Sequence, residues 1–224
     1  MATRSWLRAT AAAMAAAVLF GCSGDAPVRR KAREPWRDKA EAACLKSGRV
    51  QMSAYVQPAK PISGPGPCGT RRPLRVSGAS GGQVALAPAA TLTCQMVPAV
   101  DAWAEAEVQP NAVAILGEPV TGLELAGSYS CRTRNNQRGA RMSEHAYANG
   151  LDVRAFRLAS GRRITVLEGW QGALDESLFL RSVHEGACRR FTTVIGPDGD
   201  RHHRDHLHLD LAWHGKDGLD VYCR

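Results

Sequence analysis

Four of the seven histidines in this 224-residue chain, His202, His203, His206 and His208, fall within the seven residues HHRDHLH. Alternate side chains of a β-strand share a face. A strand through this segment therefore presents His206 and His208 together, about 7 Å apart, while Leu207, Leu209 and Leu211 turn to an apolar layer. On its own a His-x-His pair describes a polar surface strand or a loose metal-binding loop equally well. A second element changes that reading. Upstream, in SEHAYANGLDV, His145 and Asp152 flank the turn pair Asn149-Gly150, which can fold two ligands back towards one ion. His145, Asp152 and one histidine of the later pair make a two-nitrogen, one-carboxylate set. Such a set suits a single zinc ion and leaves a fourth position open, as catalytic zinc sites do. Zinc polarises a carbonyl and lowers the pKa of bound water, while a neighbouring histidine or carboxylate handles protons.

These residues need a rigid frame. Short segments with strand character, AVAILG, GLELAGSYSCR, GLDVRAFRL, RRITVLEGW, FTTVIG and DHLHLDLAW, alternate with Gly-, Asn- and Asp-rich turns from Asn111 onward. Helices are expected at Lys39–Lys46, from Ala90 to about Ala106 on the spacing of Leu92, Met96, Val97, Val100 and Trp103, and at Glu176–Cys188. This order predicts an α+β domain with a mostly antiparallel sheet and flanking helices. VQPAKPISGPGPCG has the composition of a loop, pinned by Cys68.

The N-terminus reads as an export signal. Arg4 and Arg8 precede an apolar run, Ala9 to Phe20, which is shorter than the roughly 20 residues that a bilayer-crossing helix needs. Leu19-Phe20-Gly21-Cys22 resembles a bacterial lipobox, so residues 1–21 are expected to be a lipoprotein signal peptide and Cys22 the lipidated anchor. Residues 22–38, polar and basic, are expected to be a flexible tether, and residues 39–224 the folded domain. Export to an oxidising periplasm makes disulfides of the other six cysteines, Cys44, Cys68, Cys94, Cys131, Cys188 and Cys223. Proximity in sequence suggests the pairs Cys44–Cys68, Cys94–Cys131 and Cys188–Cys223. The excess positive charge suits anionic polymers or membrane surfaces. Nucleic acid is a poor partner for an exported chain whose basic residues cluster at Arg29-Arg30-Lys31, Arg33 and Arg37.

SEH, the Asp at the seventh position after that histidine, and DHLH resemble zinc peptidases of the lysostaphin, D-alanyl-D-alanine carboxypeptidase and murein endopeptidase group. The wider chain, from Cys44 to Cys223, resembles the bacterial extensin-like C-terminal family through SYSCR, SEHAYANGLDV, FLRSVHEGAC, IGPDGDRHHRDHLHLD and the terminal YC. The resemblance implies a fold of the D-Ala-D-Ala peptidase and hedgehog type. It implies that His145, Asp152 and His208 bind zinc, that His206 assists catalysis with Asp205 as its rival for the proton shuttle, and that Arg132 orients a substrate carboxylate. Ser143 supports the site or caps a turn, and Glu144 has no role derivable from sequence. The activity implied is hydrolysis of peptidoglycan peptides by a protein lipid-anchored to a bacterial membrane, the outer one being expected. Two other readings compete with it. One is a non-catalytic, zinc-stabilised wall-binding or assembly lipoprotein, which a fourth protein ligand such as His203 would favour. The other is a metal-sequestering lipoprotein that holds ions through HHRDHLH.

Overall fold

The computed structural model describes Met1 and residues 33–224, so the signal segment, Cys22 and most of the expected tether lie outside the described residues. The first helix, α1, runs Pro35–Lys46 and begins before the expected Lys39. Pro35 suits the first helical turn, where its missing N–H has no intrahelical partner to lose. Strands β1 (Val56–Pro58), β2 (Ile62–Ser63), β3 (Gly69–Thr70), β4 (Leu74–Ala79) and β5 (Val84–Leu92) follow. A helical rod, α2, is α-helical at Met96–Trp103 and Gln109–Asn111 and widens into π-helical turns at Ala104–Val108 and Ala112–Leu116. Pro110 has no N–H to donate within the rod, and the ladder opens around it. Then come β6 (Val120–Gly127), β7 (Gly150–Leu158), β8 (Arg163–Thr165), a single helical turn (Val166–Gly169), α3 (Leu174–Ala187), β9 (Thr193–Ile195), β10 (Leu207–Asp210) and β11 (Tyr222–Cys223). None of the described helices is long and apolar enough to cross a membrane.

Among the described residues nine strands form one sheet in the order β1-β4-β5-β6-β7-β10-β9-β11, with β8 added to the second half of β7. β5–β6 and β9–β11 pair in parallel and the other neighbours antiparallel, so the sheet is mixed where sequence suggested a mostly antiparallel one. The parallel β5–β6 pair needs a crossover, and α2 supplies it. That explains two differences from the sequence reading. Ala90–Leu92 belong to β5 and not to the helix after Pro88, and Ala112–Leu116 is the end of the crossover helix, not a strand. Short apolar runs of this length fit either element by periodicity alone.

The core lies between the sheet and helices α2 and α3. Trp103 meets Phe156 and Phe191 edge-on at centroid distances of 6.1 and 6.4 Å, and Phe156 meets Phe179 at 5.1 Å. Trp103 is fully buried, and its indole N–H is donated to the Val183 carbonyl at 2.8 Å. Leu151, Val153, Leu207 and Leu209 turn into this layer, which leaves Asp152, His208 and Asp210 on the opposite face. Trp103→Ala should destabilise the fold by about 3–5 kcal/mol, measured by denaturant unfolding.

The disulfides are Cys44–Cys94, Cys68–Cys131 and Cys188–Cys223. Only the last is the pair that sequence proximity suggests. Cys44 ends α1 beside the exit of β5, and Cys68 reaches the strand end after β6, because the sheet order separates cysteines that are neighbours in sequence. The first two close loops of 50 and 63 residues, each worth about 4 kcal/mol in the chain-entropy account. Non-reducing peptide mapping should recover these three cystines and no Cys44–Cys68 peptide.

Candidate functional site

The site forms where β7 and β10 pair. His208 and Asp152 are direct cross-strand partners, and strand alternation puts both on the face away from the helices. On the other side of β7, Gly127 of β6 stands opposite Asp152, where a Cβ would lie 3.3 Å from Asp152 Oδ2. His145 arrives from a helical turn, Glu144–Tyr147, and its own backbone N–H is donated to the Ser143 hydroxyl, so Ser143 acts as a cap. Ala148 then takes a left-handed φ of 56°, which reverses the chain into Gly150 and β7.

His145 Nε2, Asp152 Oδ1 and His208 Nδ1 lie 2.8–3.1 Å from one another. The outer nitrogens fix the tautomers. His145 Nδ1–H is donated to the Ser128 carbonyl, and His208 Nε2–H to Asp210 Oδ2 at 2.9 Å. In their neutral forms both inner nitrogens therefore present lone pairs to each other and to a carboxylate oxygen. Three acceptors converging in a buried place call for a positive charge between them. Without an ion that charge is a second proton on His208: burial opposes it, yet the hydrogen bonds to Asp152 and Asp210 prevail and push its pKa up to about 10, so Nδ1 becomes a free lone pair when a cation takes the proton's place. The same bonds from His145 and His208 prevail over burial at Asp152 and hold its carboxyl well below the usual range. Four-coordinate zinc, with bonds of about 2.0–2.1 Å, needs donors roughly 3.3 Å apart. The triad is within a few tenths of an ångström of that spacing, and its donor types fit zinc.

His206 precedes β10. Its Nδ1 is held by Asp205 Oδ1 at 2.8 Å, and its Nε2 faces the triad 3.7 Å from Asp152 Oδ1. Strand alternation does not exclude Asp205, because the strand begins after it at Leu207. Asp205 nevertheless lies behind His206, largely exposed, and makes no contact with the triad. Arg132 approaches from the loop that the Cys68–Cys131 cystine anchors, its guanidinium 3.8 Å from Asp152 Oδ2. Arg132, His206 and His208 line an open cleft of about 630 Å³, whose walls also include Arg134, His203, His214 and Tyr222. His203 is buried beside His206, its Nδ1 held by Asp200 at 2.8 Å, and is not among the converging donors. Burial, ahead of the opposing pull of Asp200, lowers its pKa.

Sequence reasoning missed three groups. Asp210, two residues beyond His208, follows from the same alternation that pairs His206 with His208. Asp200, three residues before His203, had no such signal. Glu144 is buried, accepts both ends of the Arg37 guanidinium at 2.7 Å and receives the Asn149 side-chain N–H at 2.6 Å. His184, Cys188 and Cys223 form a second cluster by distance alone, but its sulfurs are already joined as a cystine and are no thiolate ligands.

No curated protein and no solved structure matches the chain. The family model described as extensin-like protein C-terminus matches residues 42–224. That span holds the triad, His206, Arg132 and all three cystines, and the chain belongs to the extensin-like protein C-terminus family.

Proposed function

We propose that the protein is an exported, lipid-anchored zinc hydrolase that cleaves peptide or amide bonds of peptidoglycan from the periplasmic side of a bacterial membrane. The observation that carries this reading is the convergence of two imidazole nitrogens and a carboxylate beside an open cleft that His208 lines. Three donors with space beside them are the arrangement of catalytic zinc, whereas structural zinc is normally closed by four protein ligands. Among the described residues His203, the candidate for closing it, is turned to Asp200 instead.

His145, Asp152 and His208 would hold the ion. Zinc bound there supplies Lewis acidity and activates water for attack on an amide at neutral pH. The chain's own groups do the rest. Asp205 fixes the His206 tautomer with Nδ1 protonated, so Nε2 faces the cleft as an acceptor that can take a proton and return it to the leaving nitrogen. Arg132, whose guanidinium stands 3.8 Å from Asp152, can turn to a substrate carboxylate and grip it with two parallel hydrogen bonds. The resemblance to the D-alanyl-D-alanine carboxypeptidase group names that carboxylate as a peptide terminus or side chain of the wall.

The soluble chain lacking residues 1–22 should bind one zinc per molecule. His145→Ala, Asp152→Ala and His208→Ala should each abolish tight binding, while His202→Ala and His203→Ala should retain it. Metal analysis after dialysis checks this, and loss through His202 or His203 would point to a sequestering loop instead. Incubated with purified peptidoglycan, the zinc-loaded chain should release fragments whose masses identify the bond. His206→Ala should keep its zinc and lose about 10²–10⁴-fold in rate. Zinc-replete protein that releases nothing from any wall preparation would leave the non-catalytic, wall-binding role.

A further inference from the structure

The family match begins at residue 42, yet the ligand turn rests on a residue before it. We propose that α1 is part of the metal site and that Arg37 is a positioning residue for His145 and Asp152, an inference that rests on the zinc reading above. Arg37 and Glu144 are 7% and 5% exposed, and they meet through two parallel 2.7 Å bonds although 107 residues separate them. The guanidinium also lies 3.8 Å over the Tyr147 ring, so it touches both ends of the turn that carries His145.

From Glu144 the connection continues through Asn149. The Asn149 side-chain N–H groups reach Glu144 Oε2 at 2.6 Å and the Leu211 carbonyl at 2.9 Å, which ties the His145 turn to the end of the strand holding His208. Asn149 Oδ1 meets the Thr93 hydroxyl at 3.2 Å, and Thr93 N–H bonds the Ala148 carbonyl at 2.8 Å. Thr93 neighbours Cys94, whose disulfide to Cys44 returns to α1. The loop closes on itself: α1, the ligand turn, the end of β10 and the exit of β5 are held as one unit around the three donors. Removing Arg37 takes away the two bonds that clamp Glu144 and leaves its carboxylate buried without a cationic partner, which frees the turn that sets His145 against Asp152. Groups that orient metal ligands typically govern affinity by about 10–100-fold.

The experiment uses the soluble chain from residue 23 with zinc as probe, comparing wild type, Arg37→Ala, Arg37→Lys and Leu180→Ala. Leu180 is buried in α3, remote from the triad, and serves as a destabilised control. Zinc dissociation constants come from chelator competition at a temperature where each variant is folded, and melting is followed by circular dichroism. Arg37→Ala should bind zinc at least about tenfold more weakly. Arg37→Lys, which keeps the charge but not the fork, should fall between Arg37→Ala and wild type, and it decides the matter if Arg37→Ala does not fold. Leu180→Ala should melt lower yet bind as wild type does. Wild-type affinity in both Arg37 variants, or an equal loss in Leu180→Ala, overturns the positioning role alone. A wild-type chain that takes up no zinc overturns the zinc reading and this inference with it.

Discussion

Two imidazole nitrogens and a carboxylate oxygen held within about 3 Å of one another, out of water, repel unless a proton or another cation joins them. Much of the surrounding structure can be understood as what keeps that arrangement from relaxing. Each histidine is prevented from turning its N–H inward, His145 by the Ser128 carbonyl and His208 by Asp210. Asp152 is hemmed in by its place in β7 between β6 and β10. Relaxation would require breaking a strand pairing or exposing a buried polar bond, and both cost more than a surface side chain's rotation.

The two halves of the cleft are fixed to different degrees. The triad stands on paired strands and on a capped turn, so its donors are placed by the sheet. Arg132 stands on the loop leaving β6, fixed at one end by Cys68–Cys131 and along its length by the Thr133–Met142 bridge. Arg132 thus stands on a loop, a less regular support than the paired strands beneath the triad.

Legibility in the sequence followed the range of the interaction. His145, Asp152 and His208 were readable because a turn and a strand period are local rules, and the structure brings those three together. Asp210 obeyed the same period and could have been found by extending it two residues. Arg37 could not. It sits in a run whose composition is that of a tether, and its partner lies 107 residues away, so only tertiary packing reveals the pair. Two of the three expected cysteine pairs failed for a related reason. Which chain neighbours become spatial neighbours depends on sheet order, and the parallel β5–β6 step, with a helix where AVAILG suggested a strand, reorders the middle of the chain.

Three histidines in the cleft each lean on a carboxylate, His203 on Asp200, His206 on Asp205 and His208 on Asp210. What separates them is which nitrogen the acid occupies and how much water reaches the pair. Asp210 takes Nε2 of His208 and leaves Nδ1 facing the other donors, with both side chains sealed at 9% and 5% exposure. A sealed lone pair can serve a cation but cannot exchange protons freely with solvent. Asp205 takes Nδ1 of His206 and leaves Nε2 at the mouth of the triad, and the acid itself is 65% exposed. That pair is open to water. In the proposed reading, holding the ion and moving a proton fall to residues two apart, because His208 lies within the β7–β10 ladder and His206 precedes it.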